Sequence, residues 1–254
     1  WDLPGLPVAA VVLPRSDRAA ALCRGALGSG MALAVINVKA DDAVEVHQSL
    51  DDEGLGAAVP YALAVTPDGA HLLALASGYS MDPPSGDAVS WLYTIRTSDF
   101  APSGSPAAVP GSSGPLECPL TVRDDGTCWV TTRSLGTDQA YVSAFRITDD
   151  GARVESQAPI TRVSSPVKIS FEPGGTSLAV CIENRLEIWP GGRRGGASET
   201  YEAPCGAVEW TREGLFVGEA GIIHQIDPRS CTTIKLMKLD TGWVSDMIVV
   251  PPEL

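Results

Sequence analysis

The feature that most constrains this fold is a unit that recurs along the chain: a short apolar segment, a polar turn containing glycine, and a second apolar segment. The clearest copy is ISFEPGGTSLAVCIE at 169–183. The turns of the four best copies contain Gly69, Gly126, Gly175 and Gly214, which are 57, 49 and 39 residues apart. A polar turn with glycine where φ must be positive is typical of a β-hairpin. The repeat therefore predicts a series of hairpins.

Each hairpin is followed by a third apolar segment and by a fourth, more polar one. The third segments are 31–38, 89–98, 140–148, 185–191 and 221–230. Four antiparallel strands of falling hydrophobicity, repeated in this way, match the blades of a propeller. The sequence therefore predicts an all-β fold, a β-propeller of four-stranded antiparallel blades with five blades in this chain.

The predicted domain is a single propeller over 1–254. Its blades are expected at about 7–50, 60–110, 116–162, 166–204 and 206–240, with an extra inner strand over 243–254. This extra strand leaves two interpretations open. The chain is either a five-bladed ring with a trailing strand, or part of a larger ring that other proteins complete, because an unpaired blade edge invites docking.

Composition excludes some partners. The formal charge is −13 and the isoelectric point is near 4.6, so an acidic surface would repel nucleic acid. No apolar run reaches the roughly 18 to 20 residues that span a bilayer. We therefore expect an acidic protein with protein partners, without nucleic acid and without a membrane span.

The six cysteines include no Cys-x-x-Cys pair, and the three histidines lie far apart in the sequence. A zinc site is therefore not expected. Cys128 and Cys181 lie inside apolar runs, where a free cysteine packs as a small hydrophobe. Buried thiols are favoured over disulfides, and no Asn-x-Ser/Thr sequon occurs. Both observations favour the cytoplasm or the nucleus.

The segment 169–191 resembles a WD40 repeat, with Ile188 and Trp189 at the position of the family's Trp-Asp dipeptide. The segment 208–230 is similar, with Ile226 and Asp227 there. The resemblance covers about 165–230 well, although no Gly-His dipeptide opens a blade and no Trp-Asp closes one. It implies a divergent WD40-like propeller that lacks the family's usual hydrogen-bonded tetrad and serves as an interaction platform.

Catalytic motifs are absent from the sequence. It contains no Gly-x-Ser-x-Gly motif, no phosphate-binding loop and no dinucleotide fingerprint. Its acidic pairs lack the spacing of a calcium loop and are interpreted as solvated turns. The sequence favours a non-enzymatic scaffold, a subunit of a larger complex with no catalytic residue, cofactor or metal. One alternative is a metal-dependent hydrolase of the lactonase or gluconolactonase type. Another is a secreted or periplasmic ligand-binding propeller, which disulfides would support.

The scaffold and hydrolase hypotheses both place their site at one mouth of the propeller channel, where the loops joining second to third strands meet the connections between blades. Polar residues expected at this mouth are Glu183, Asn184 and Glu219. They form either the rim of a protein-binding face or the ligands of a channel metal. The longest of these loops, 77–90, predicts a recognition edge. The partner-binding residues are Tyr79, Met81, Asp82, Arg133 and Trp243.

Overall fold

The computed structural model describes residues 3–25, 30–39, 44–50, 58–79, 88–111, 120–134, 137–161, 163, 167–192, 200–202 and 205–243. Regular structure in these ranges is strand, apart from one short 3-10 turn, Pro190–Gly192. The strands form five antiparallel sheets that follow one another along the chain. The predicted all-β fold with about five blades is confirmed.

The first four sheets each have four strands in sequence order. The first contains β1 (Leu6–Val12), β2 (Arg18–Arg24), β3 (Met31–Asn37) and β4 (Val44–Ser49). The second contains β5 (Val59–Val65), β6 (His71–Tyr79), β7 (Ala88–Arg96) and β8 (Ala107–Pro110). The third contains β9 (Leu120–Val122), β10 (Thr127–Arg133), β11 (Gln139–Thr148) and β12 (Gly151–Thr161). The fourth contains β13 (Lys168–Phe171), β14 (Leu178–Ile182), β15 (Arg185–Trp189) and β16 (Thr200–Glu202).

The fifth sheet contains β17 (Ala207–Thr211), β18 (Gly214–Asp227) and β19 (Thr232–Trp243). β18 spans 14 residues, but its two halves lie side by side. The side-chain amide of Gln225 donates a hydrogen bond to the carbonyl of Glu213 at 3.0 Å. A straight strand would separate these residues by roughly 40 Å, since strands rise about 3.3 Å per residue. The chain reverses near Gly221, which has φ +68°, so this sheet also forms a four-stranded blade.

The hydrophobic core lies between neighbouring blades. Successive side chains of a strand point to opposite faces of its sheet, so one strand serves two interfaces. In β6, Leu72 joins the cluster shared with the first blade, which includes Leu22. Its neighbour Leu73 joins the cluster shared with the third blade, which includes Val130 and Phe145. The second blade therefore buries its two faces against different neighbours.

The same packing continues towards the fifth blade. Trp129 of the third blade meets Phe171 of the fourth edge-on, with ring centroids 5.6 Å apart, and Trp189 belongs to the same cluster. Trp210 of the fifth blade packs with Ile188 of the fourth. The tryptophans of these inner positions are core residues.

The first and last blades are not packed against each other through their described strands. The innermost strands contact one another in the order β1, β5, β9, β13 and β17, and no comparable contact joins β17 to β1. On β1, Leu6 and Val12 are each 69% exposed and Val8 is 36% exposed. Within the described ranges, the five blades therefore form a row with an uncovered inner strand at its first end.

One turn differs from its predicted form. Positive φ occurs at Gly69, Gly126 and Gly214 as predicted, but in the fourth blade it falls on Gly174 (φ +70°) rather than on Gly175. The amide of Gly175 instead donates to the carbonyl of Glu172 at 3.0 Å, closing the turn. Pro173 precedes the positive-φ glycine, which is the arrangement that a type II turn requires.

The interpretation of Cys181 as a free buried thiol is wrong. Cys181 of β14 and Cys205, in the connection from the fourth to the fifth blade, form a disulfide with their Cα atoms 5.6 Å apart. Cys23, Cys128 and Cys231 are buried and form no disulfide, and burial raises the pKa of the Cys128 thiol. Since disulfides persist in oxidising compartments, this bond removes one of the two arguments for the cytoplasm or nucleus.

Candidate functional site

The blade topology places the predicted partner-binding residues at one end of the blades. Tyr79 and Arg133 are the last residues of β6 and β10, which are the second strands of adjacent blades. Trp243 ends β19, the fourth strand of the fifth blade, opposite Ala220. Second strands end, and fourth strands end, on the same side of an antiparallel blade. Met81 and Asp82 lie outside the described residues, so the recognition edge that includes them stays a prediction.

Hydrogen bonds hold the end of the second blade near this mouth, and one joins it to the third blade, donated by the Thr132 hydroxyl to the carbonyl of Pro110. The hydroxyl oxygens of Ser77 and Ser90 are 2.6 Å apart, and Ser90 donates to the carbonyl of Gly111 at 3.0 Å. Gly111 has φ +82°, and a Cβ there would lie 2.8 Å from the carbonyl oxygen of Arg133. The backbone at Gly111 therefore lies against the end of β10. This contact sets the position of Arg133 relative to β6.

Glu183 and Asn184 form the tight turn between β14 and β15. Glu183 has φ +52°, and its carbonyl accepts a hydrogen bond from the amide of Cys205 at 3.1 Å. Asn184 is exposed. The disulfide from Cys181 reaches the same connection, so the turn and the start of the fifth blade are held together at two points. At this part of the mouth, a disulfide and a hydrogen bond therefore hold the backbone of the turn against the connection to the fifth blade.

Glu219 belongs to a partly buried polar chain that sequence reasoning missed. Its Oε1 lies 2.9 Å from Nε2 of His224. Nδ1 of His224 lies 3.1 Å from the hydroxyl of Tyr201, which lies 3.1 Å from the hydroxyl of Thr233. We call these four residues the interblade polar chain, because Tyr201 comes from the fourth blade and the others come from the fifth.

Contacts at both ring nitrogens orient His224 in the interblade polar chain. A carboxylate only accepts, so Nε2–H donates to Glu219, and Nδ1 shares a hydrogen bond with the Tyr201 hydroxyl. His224 is only 8% exposed. The histidines were considered only as zinc ligands, and the contact of His224 with Glu219 was not predicted. The available signal was its position five residues after Glu219, across a hairpin.

The described residues supply no ligand set for a channel metal. Among them, no group of three or more histidine, cysteine, aspartate or glutamate side chains could hold a metal ion. Glu219 is bound to His224, and Glu183 lies in a turn of the neighbouring blade. The hydrolase alternative therefore gains no support from this part of the chain.

A cavity of about 340 Å³ lies against the inner strands of the third, fourth and fifth blades. Its lining includes Arg123 and Asp124 from the turn after β9, Glu172 from the turn after β13, and Glu209 and Trp210 from β17. The turns after first strands lie at the end of the blades opposite the mouth described above. The sequence predicts a concave site at the other end of the blades, so this cavity was not predicted.

Comparison with known proteins supports the fold. No protein-family model matches the sequence, and no curated protein matches it. The crystal structure of the WD40 domain of Toxoplasma gondii coronin is similar, with a TM-score of 0.51, 18% identity and coverage of 77% of this chain. The match spans 46% of that coronin chain. Kuenenia stuttgartiensis hydrazine synthase matches with a TM-score of 0.46, 16% identity and coverage of 97% of this chain and 90% of its own.

The coronin likeness and the five blades together define the fold as a divergent WD40-like β-propeller. At this level of identity the likeness concerns the fold and leaves the function to be argued from the site. In the described part of the chain, no helix has the length and apolarity needed to cross a membrane.

Proposed function

We propose that this chain is a non-enzymatic interaction scaffold, a subunit of a larger protein complex. It binds its partner at the mouth where β6, β10 and β19 end. The observation that carries this proposal is the bracing of that mouth between blades. The hydroxyl of Thr132 in the third blade donates to the carbonyl of Pro110 in the second, and the Cys181–Cys205 disulfide ties the fourth blade to the connection that leads to the fifth. A mouth held in this way is preorganised, which reduces the entropic cost of binding.

The connection between β6 and β7 supports the choice of surface. Residues 80–87 separate these strands, whereas only Glu183 and Asn184 separate β14 from β15. Segments longer than the fold requires often carry function. In the proposal, Tyr79, Met81 and Asp82 form one side of the recognition edge, and Arg133 and Trp243 extend it.

The uncovered inner strand of the first blade supports a role in a complex. The side chains of Leu6, Val8 and Val12 on β1 are exposed, while Ala9 and Val11 pack towards the second blade. Exposed apolar side chains on an inner strand are typical of a surface that a further protein covers. A net charge of −13 disfavours nucleic acid as that partner.

The test replaces residues 79–86 with a short Gly-Ser turn and measures capture of partner proteins by affinity purification from the native source. We expect capture to be lost while the melting temperature changes little, because the replaced segment joins strands at a blade end. The control replaces 193–199, the connection from β15 to β16 at the opposite end of the fourth blade. Retained capture by the first variant, at equal affinity, would place the binding face elsewhere.

A further inference from the structure

Another cavity, of about 400 Å³, lies where the third blade meets the turn that follows β15. Three strands of the third blade and two turns line it. The residues on which its chemistry depends are Arg123, Asp125, Trp129, Arg146, Glu155 and Gly191. We call it the tryptophan cavity, to distinguish it from the cavity at the inner strands. It places one buried indole and two guanidinium groups around the same space.

The indole N–H of Trp129 is a buried donor without an acceptor. Trp129 is only 5% exposed, and its Nε1 has no hydrogen-bond partner within the part of the chain that the structure describes. By contrast, Trp189 of the same hydrophobic cluster donates its indole N–H to Oε2 of Glu187 at 2.8 Å. A buried indole N–H usually has such a partner, because leaving it unbonded costs free energy. The Trp129 N–H is therefore a donor that an acceptor from outside the chain can satisfy.

The edge of the indole that carries Nε1 borders the tryptophan cavity. The turn after β15 packs on this edge, since a Cβ at Gly192 would lie 2.5 Å from Cζ2 and 3.5 Å from Cε2 of Trp129. Cε2 is bonded to Nε1, and the neighbouring residue Gly191 lines the cavity together with Trp129. A Cβ at Gly191 would meet nothing within 4 Å, so the space beside this edge is open. The unpartnered N–H therefore lies on the side of the ring that a ligand in the cavity would approach.

Arg146 lies beside Trp129 on the same face of the third blade. Trp129 of β10 is paired with Ala144 of β11, and Arg146 follows Ala144 by two residues. Such diagonal neighbours lie roughly 7 to 8 Å apart, which is within reach of aromatic and long side chains. One ligand group can therefore meet the indole N–H and the guanidinium at the same time.

Both arginines of the lining keep donors that no described residue uses. Nε of Arg146 donates to Glu155, and Nη2 of Arg123 donates to Asp125. A guanidinium has five N–H donors, so each arginine keeps several more for a ligand. The two ion pairs balance in charge, so both carboxylates are already neutralised. What the arginines still offer to a ligand is hydrogen-bond donors.

We propose that the tryptophan cavity binds a carboxylate group, which accepts hydrogen bonds from the indole N–H of Trp129 and from the guanidinium of Arg146. The two oxygens of a carboxylate accept up to about four hydrogen bonds, and a guanidinium fork matches them in geometry. A phosphate carries nearly twice the charge, which is disfavoured in a cavity without excess positive charge and in a chain of net charge −13. The carboxylate comes from an acidic side chain of a partner protein or from a small carboxylic acid.

The test follows the indole N–H signals of the whole isotope-labelled chain by NMR during titration with a capped Gly-Glu-Gly peptide, a capped Gly-Gln-Gly peptide and acetate. Trp129→Phe identifies the Trp129 signal by its loss, and sequential assignment identifies it if that variant does not fold. We expect the glutamate peptide to move this signal saturably and to bind at least about tenfold more tightly than the glutamine peptide, which is the effect of one charge-assisted contact. Equal affinity of the two peptides, or no saturable shift with either carboxylate up to about 10 mM, overturns the site.

Two arginine variants locate the binding. Arg146→Gln should weaken glutamate-peptide binding severalfold, and Arg123→Gln takes its place if Arg146→Gln does not fold. The control is Arg229→Gln, which removes an exposed arginine of the fifth blade and changes the net charge by the same amount. It should bind normally, and thermal melts confirm that each variant is folded. Equal weakening by the control would overturn the site, because the attraction would then depend on net charge alone.

The affinity of acetate distinguishes the two sources of the carboxylate. Binding of acetate as tightly as of the glutamate peptide identifies a small carboxylic acid, and tighter binding of the peptide identifies an acidic side chain of a protein. The cavity lies at the end of the blades opposite Tyr79 and Arg133, so replacement of residues 79–86 should leave this binding unchanged. A failure of the proposed recognition edge and a failure of the tryptophan cavity are therefore separate results.

Discussion

The innermost strands of the fourth and first blades differ in a way that their sequences would not suggest. β13 reads KISF, and all four residues are buried, including Lys168 at 8% exposure and Ser170 at 6%. β1 reads LPVAAVV and is entirely apolar, yet Leu6 and Val12 are 69% exposed. The more polar strand is the buried one.

Neighbouring blades account for this difference. β13 lies between β9 and β17, and the hydroxyl of Ser170 accepts a hydrogen bond from the backbone amide of Trp210 at 2.8 Å. This bond satisfies an edge amide of the next inner strand, so a polar residue is useful there. β1 packs on the second blade through one face only. Burial of an inner strand therefore depends on two neighbours, and its own hydrophobicity is secondary.

Matched leucine truncations should show the largest contrast between the two blades. Leu178→Ala in β14, where the side chain is fully buried, should lower the free energy of unfolding by about 3 to 4 kcal/mol through lost burial and a residual cavity. Leu6→Ala should change it by less than about 0.5 kcal/mol, as for other exposed positions. Urea unfolding measures both. Comparable losses would show that β1 is covered in solution and would break the comparison.

The disulfide is the second difference between the blades, because it ties the fourth blade to the connection that follows. Cys205→Ser should lower the free energy of unfolding by about 3 kcal/mol, since the bond closes a loop with a sequence separation of 24. A reducing agent should lower the melting temperature of the wild type and leave that of the variant unchanged. An unchanged wild type under reduction would mean that the bond does not form.

The interblade polar chain should contribute a smaller stabilising effect. Tyr201→Phe removes the hydroxyl shared by His224 and Thr233, and should cost about 1 kcal/mol of unfolding free energy. Its matched control is Tyr141→Phe, which removes a hydroxyl bonded only to nearby Gln139 and should cost less than about 0.5 kcal/mol. Equal losses in the two variants would mean that the polar chain adds nothing to the junction of the fourth and fifth blades.

The smallest expected effect concerns the turn after β5 in the second blade. In this turn Asp68 occupies the position that Gly174 occupies in the equivalent turn of the fourth blade. The Thr66 hydroxyl at 2.6 Å and the Ala70 amide at 2.9 Å lower the pKa of Asp68 below its usual value. A carboxyl with a lowered folded-state pKa stabilises the protein above its unfolded pKa of about 3.9, and this contribution is lost as pH falls through the folded value. The melting-temperature gap between wild type and Asp68→Asn should therefore shrink from pH 6 to pH 3. A constant gap would contradict this assignment.

Local patterns were sufficient to predict the strands. The third segments predicted at 31–38 and 140–148 correspond to Met31–Asn37 and Gln139–Thr148. Their ends are set by turn residues close by in sequence, and their interiors by apolar runs, so neighbouring residues carry the information. The turn after β13 was predicted in the same way, but the glycine with positive φ was not. The positive φ lies at Gly174 rather than at Gly175, and this one backbone angle sets the type of the turn.

The sequence by itself determined the hairpin repeat, the number of blades and the end of the blades at which Tyr79, Arg133, Glu183 and Glu219 lie, because all of these follow from strand order along the chain. Only the tertiary structure decided which groups from different blades meet. The bond from Cys181 to Cys205, the contact of His224 with Tyr201, the inner-strand cavity and the exposure of β1 all depend on how one blade packs on the next. Such contacts join residues without a shared local pattern, and the physical chemistry of a single strand does not specify them.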